Sequence, residues 1–167
     1  MQIKLFNKKR GIFIFQLDQN KYIKFLDADD VILSNSTKLL VDILEKNSDC
    51  VLAYGLQRKV ENIKNVNLNE TINTRDVEII NNPIKLAMRN SMFNPTQFLV
   101  KSKECKLVNG CDERIIHSQE YSLTLRLARL GSFFKLNYPI AVLPFKAPGQ
   151  ISEKKNNQIF RVSKALE

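Results

Sequence analysis

The chain has 167 residues, 44% of them apolar, with 26 basic and 17 acidic side chains and a formal charge of +9. That length and apolar share fit one domain with a buried core and exclude a disordered tail. The basic balance suits an anionic partner (nucleic acid, an acidic membrane or a phosphorylated substrate) and serves plain solubility equally well.

Cys50, Cys105 and Cys111 are odd in number and form no C-x-x-C pair, so neither a disulfide framework nor a zinc site is suggested. Buried or idle thiols in a reducing cytosol are expected. No run approaches the ~18–20 apolar residues of a spanning helix. The segment Gly11 to Phe15 is too short for a signal-peptide core.

From the N-terminus, Gly11 to Leu17 is apolar and fits either a helix end or a short strand. Asp18-Gln19-Asn20 reads as a turn, and Tyr22 to Leu26 as a strand. Ser34-Asn35-Ser36 can cap a helix carrying Leu39, Leu40, Ile43 and Leu44 and fading at Asn47-Ser48. Cys50 to Leu56 is strand-like again, so strand, helix and strand form an α/β unit with an expected right-handed crossover.

Residues 57 to 81 are polar and weakly patterned, and read either as short strands or as a mobile loop. Asn82-Pro83 opens a short helix through Met88, Thr96 to Val100 is a strand, and Lys103 to Val108 is a short helix stopped by Asn109-Gly110. His117 to Leu130 has the clearest helical pattern, with Leu123, Leu127 and Leu130 as its apolar stripe and Gly131 as its end. Phe133 to Leu143 reads as extended, interrupted by Pro139. Met88, Met92 and Phe93 read as core or pocket wall. With no repeat or long linker, residues 1–152 form one unit, followed by a polar basic tail, 153–167.

Two clusters carry chemistry. Asp27, Asp29 and Asp30 fall within four residues at the end of the strand from Tyr22. Ligands bind beyond the carboxyl ends of strands in open α/β sheets. A D-x-D spacing puts two carboxylates on one side of an extended chain, where they can hold Mg²⁺ or Mn²⁺ and leave positions for phosphate oxygens. An isolated D-A-D-D fits a capped turn better than a metal site, given how often Asp marks turns.

The second cluster is Glu120, at the start of the helix from His117. The helix dipole favours its anion, so it is expected to be ionised at neutral pH and able to take a proton from a hydroxyl. A plain first-turn acid is the other reading. Arg126 and Arg129 read as solvated or surface-paired, and His117 as a helix-start residue.

Together these segments resemble family 2 glycosyltransferases of the GT-A fold. "NKYIKFLDADD", Asn20 to Asp30, follows the pattern G-x-Y-I-x-F-L-D-A-D-D. "NGCDERIIHSQEYSLTLRLA", Asn109 to Ala128, follows G-G-F-D-E, a gap, then E-D-Y-x-L-x-L-R-L-A. "NPTQFLVKSKECKLV" is similar to the strand and helix before the acceptor site.

The resemblance implies an α/β three-layer sandwich of GT-A type, Rossmann-like. It implies inverting transfer of a sugar from a nucleotide-diphospho-sugar to a glycan or lipid-linked acceptor, in cell-surface polysaccharide synthesis. Asp27 and Asp29 would face Mn²⁺ or Mg²⁺ and the diphosphate, with Asp30 in support. Glu120 would be the catalytic base. Asp112, Glu113 and Gln119 would shape the acceptor pocket. The family's terminal Y-R-x-H-x-x-Q-x-S becomes "PFKAPGQIS", which keeps Gln150 and Ser152 and leaves Lys146 as the cation near the diphosphate.

Relative to the family, Met1 falls downstream of the first nucleotide-binding βαβ half. The strand from Tyr22 would then lack neighbours, and a second chain could supply that half. A cytoplasmic protein, peripheral at the inner face of the membrane, is implied. The alternatives are a non-catalytic remnant or interaction module and a basic nucleic-acid-binding domain. The last is disfavoured by the acidic cluster and by the lack of a stacking motif, so no nucleic-acid partner is expected.

Overall fold

The computed structural model describes residues 4–6, 12–17, 21–71, 76–89, 91–112, 115 and 119–145. Its strands are β1 (Lys4–Phe6), β2 (Ile12–Leu17), β3 (Tyr22–Asp27), β4 (Val31–Ile32), β5 (Cys50–Val60), β6 (Val77–Ile80), β7 (Phe98–Lys101) and β8 (Ser132–Pro144). The helices are α1 (Ser36–Lys46), α2 (Ile84–Arg89), α3 (Ser102–Leu107) and α4 (Gln119–Leu127).

The strands form one mixed sheet in the order β1-β2-β3-β7-β5-β8-β4, with β6 also paired to β8. β7 runs antiparallel to both β3 and β5, so those two are parallel to each other, and β8 is parallel to β5. This is a mixed α/β architecture. β3 is not left bare, because β2 pairs along its whole length, from Leu17 opposite Tyr22 to Ile12 opposite Asp27. The apolar segment before Asp18 is therefore a strand, and it supplies the neighbour that the resemblance leaves missing. The expected turn at residues 18–20 and the tail from residue 153 lie outside the described residues.

Strand alternation divides the core into two layers. Tyr22, Ala53 and Leu99 point to α1 and pack with Leu40, Ile43 and Leu44. Ile23, Phe25, Leu52, Tyr54, Phe98 and Val100 point to the other face, where Tyr121, Leu123, Leu125 and Leu127 of α4 meet them. Each such fully buried side chain contributes about 1.5–3 kcal/mol through the apolar surface it removes from water. Tyr22 also ties β3 to α1, its hydroxyl donating to Glu45 Oε1 at 2.7 Å.

Several elements differ from expectation for identifiable reasons. β5 runs to Val60, beyond its apolar stretch, because Gln57 to Val60 pair with Ala141 to Pro144 of β8. Pro139 does not break β8. It falls at a register shift between Gly55 and Leu56, where the lost N–H is tolerated. Gly55 lies against this irregularity, and a Cβ there would sit 2.8 Å from two carbons of Ile140.

The helix from Gln119 ends at Leu127 and continues as a turn, which leaves Leu130 39% exposed and outside the stripe. Gly131 lies close to the next strand: a Cβ would come 2.8 Å from Asp49 O. α1 starts without a side-chain cap, since Asn35 is left-handed at φ 64°. Asn109 and Gly110 are both left-handed after α3, as their sequence suggests. Phe93 is core and Met92 packs against it, whereas Met88 is 60% exposed. Cys50 and Cys105 are buried, Cys111 is half-buried, and all three are free thiols. No helix among the described residues is long and apolar enough to cross a membrane.

Candidate active site

β3 delivers its acidic end to a tight turn in which the Asp30 N–H donates to Asp27 O at 3.2 Å. Asp27 continues the alternation of Ile23 and Phe25 and so faces the α4 layer. Ala28 and Asp29 are exposed at the tip, while Asp27 and Asp30 are half-buried.

Thr96 sits against the turn from the 3-10 segment Pro95–Gln97 that leads into β7. The Asp27 N–H donates to Thr96 Oγ1 at 3.1 Å, and that hydroxyl donates to Asp30 Oδ2 at 2.6 Å. Asp27 and Asp29 carboxylates make no hydrogen bond to a described residue.

Beneath the turn lies Lys24, 1% exposed. Its ammonium donates to the Thr96 carbonyl and, at 3.1 Å, to the Phe98 carbonyl. Burial lowers its pKa to about 7 against the opposing pull of Asp30 and then Asp27.

The carboxyls respond in the opposite sense. Asp27 is raised to about 6 by burial and by the charges of Glu120 and Asp29, with Lys24 holding it down. Asp30 is raised to about 6 by burial, restrained by the Thr96 hydrogen bond and Lys24, and raised further by Asp27 and Asp29.

The charge of Glu120 is among those that raise Asp27, so the start of α4 lies near the end of β3. Glu120 is the second residue of α4 and is half-buried. Burial raises its pKa, and a hydrogen bond from its own backbone only partly offsets this. Burial thus works against the preference of the helix terminus for an anion at Glu120.

The same charge reaches Cys111, whose thiol is pushed up to about 12 by burial, Cys105 and Glu120 against Arg126. The loop holding Asp112 thus lies beside the start of α4. The Asp112 carbonyl accepts the Ile115 N–H at 3.1 Å, and Gln119 is half-buried as the first residue of the helix. Glu113, His117, Lys146, Gln150 and Ser152 lie outside the described residues.

Arg126 is half-buried. It donates to the carbonyls of Ser122 and Val108, tying α4 to the end of α3. Arg129 is exposed, as expected.

Among the described residues, no three or more His, Cys, Asp and Glu side chains are arranged to hold a metal by themselves. Asp27 and Asp29 nonetheless fit a hard divalent ion bound jointly with phosphate and water. They are oxygen donors with no hydrogen bond to a described residue, and burial, then the charges of Glu120 and Asp29, raise Asp27.

Lys24 and Thr96 are the participants that sequence reading missed. The only signal for Lys24 was a lysine interrupting a buried strand pattern. Thr96 is 69 residues from the backbone amide it holds, and nothing local marks it. Compared with known proteins, the chain matches no family model and no curated protein.

Proposed function

We propose that the chain is a glycosyltransferase-type protein of GT-A architecture that binds a nucleotide-diphospho-sugar and transfers the sugar with inversion to a glycan or lipid-linked acceptor. The observation that carries this reading is the electrostatic meeting of Asp27, at a strand's carboxyl end, with Glu120, at a helix start. The mixed α/β sheet is compatible with it.

Asp27 and Asp29 would hold Mn²⁺ or Mg²⁺. When bound, the ion offsets negative charge developing on a diphosphate leaving group. Asp30, engaged by Thr96, supports the turn. Glu120 removes the acceptor hydroxyl's proton, and the oxygen then attacks the anomeric carbon from the side opposite the departing diphosphate. Its raised pKa suits this task, because a base works best when its pKa approaches the operating pH. Asp112 and Gln119 border the acceptor side.

A second reading, a module that binds without turnover, is favoured by Phe145, which stands 45% exposed where the resemblance expects arginine. A thermal-shift titration with UDP-sugars and Mn²⁺ tests binding, because a ligand specific to the folded state raises its stability. No shift with any nucleotide-sugar and either ion rejects both readings. A shift without release of UDP in the presence of glycan or lipid-linked acceptors selects the second.

A further inference from the structure

We propose that Thr96 is a positioning residue, fixing the acidic turn so that Asp30 is structural while Asp27 and Asp29 stay available to a ligand. This deepens the transferase reading and rests on it for the ligand, but not for the geometry. Thr96 is fully buried, and its two polar groups act in opposite directions. Its carbonyl accepts from the Lys24 ammonium beneath the turn. Its hydroxyl accepts the Asp27 N–H at 3.1 Å and donates to Asp30 Oδ2 at 2.6 Å. A hydroxyl has one proton to give, so this proton is committed to Asp30.

Thr96 is itself held from the other side. The Asn94 N–H donates to Gln97 Oε1 at 2.8 Å, Gln97 Nε2 donates to Gly55 O at 2.8 Å, and Asn94 Nδ2 donates to Gln57 Oε1 at 2.7 Å. The 3-10 segment is thereby pinned to β5 while it grips β3. The turn cannot rotate Asp30 outward without breaking the Thr96 bond. The Asp27 and Asp29 carboxylates have no such hydrogen bond to a described residue.

The test uses the full chain, with Thr96→Val removing the hydroxyl at nearly constant volume and Thr96→Ser restoring it. Amide hydrogen exchange by NMR reads the geometry without any ligand. Electron paramagnetic resonance of Mn²⁺, alone and with UDP, reads the site.

In wild type, the Asp27 amide exchanges more slowly than those of Ala28 and Asp29. In Thr96→Val it speeds up, and Mn²⁺–UDP affinity falls, each by about tenfold. Thr96→Ser keeps both near wild type. An Asp27 amide as fast as its neighbours in wild type overturns the proposal even if Thr96→Val does not fold. So does a valine variant with unchanged exchange, or a serine variant that behaves like valine. If wild type binds neither Mn²⁺ nor UDP, the transferase reading fails while the exchange data still decide the role of Thr96.

Discussion

Replacing Asp27 with asparagine should stabilise the protein at neutral pH and have little effect in acid. The Asp27 carboxyl sits at about 6 instead of 3.8, and holding such a group ionised costs about 3 kcal/mol at about 1.4 kcal/mol per pH unit. Partial exposure screens that cost, leaving about 1–2 kcal/mol. The native state binds the proton more tightly than the unfolded chain. Stability contributed by this group is therefore present below pH 3.8 and lost as pH rises through about 6. The Asp27→Asn variant avoids that loss, and the bond to the Thr96 hydroxyl comes from the backbone N–H of residue 27 and survives the change. Melting curves at pH 4 and pH 7.5 should show a gap between variant and wild type that opens with pH, reaching about 3–6 °C at the higher value. An equal gap at both pH values, or a variant less stable at pH 7.5, would refute the picture of a carboxylate held at a cost.

Glu120→Gln should lower transfer by about 10²–10⁴-fold while leaving the UDP-sugar thermal shift intact, read by UDP release and by melting in parallel. Lys24→Met should push the Asp27 and Asp30 carboxyls above about 6, because Lys24 is the cation that holds both down; carboxyl ¹³C titration reads this directly. Gly55→Ala should cost about 1–3 kcal/mol, since its Cβ would meet Ile140 at 2.8 Å with the Tyr138 carbonyl 3.0 Å away; the urea midpoint measures it. Leu127→Ala, at the fully buried base of α4, should cost about 2–5 kcal/mol in the same assay.

What could be read from the sequence was what depends on near neighbours along the chain. The strand into Asp27, the helix over Leu40 and Leu44, and the helix carrying Glu120 each announce themselves by local period and flanking turn residues. The extension of β5 to Val60 was hidden because polar residues form its second half, and only pairing with distant β8 makes them a strand. β6 stayed one of two open readings, short strand or loop, because Val77, Glu78 and Ile79 are exposed and carry no alternating pattern. At the site, the charges of Asp27 and Glu120 were legible while their energetics were not. A carboxylate's pKa depends on what surrounds it, and the burial that opposes the helix terminus at Glu120 is set by residues distant in the chain. Arg126 misled for a related reason, since an arginine bonded to nearby carbonyls and a solvated one look alike in a helical pattern.

The enclosure of Lys24 turns the acidic turn into something that can be watched without a ligand. Most lysines offer their amines to acylating reagents at once, whereas this one is shut away and held by two carbonyls. Its modification has to wait for the end of β3 to come apart. The rate at which Lys24 becomes labelled therefore clocks how often the loop opens, and a nucleotide that seals the loop should slow that clock.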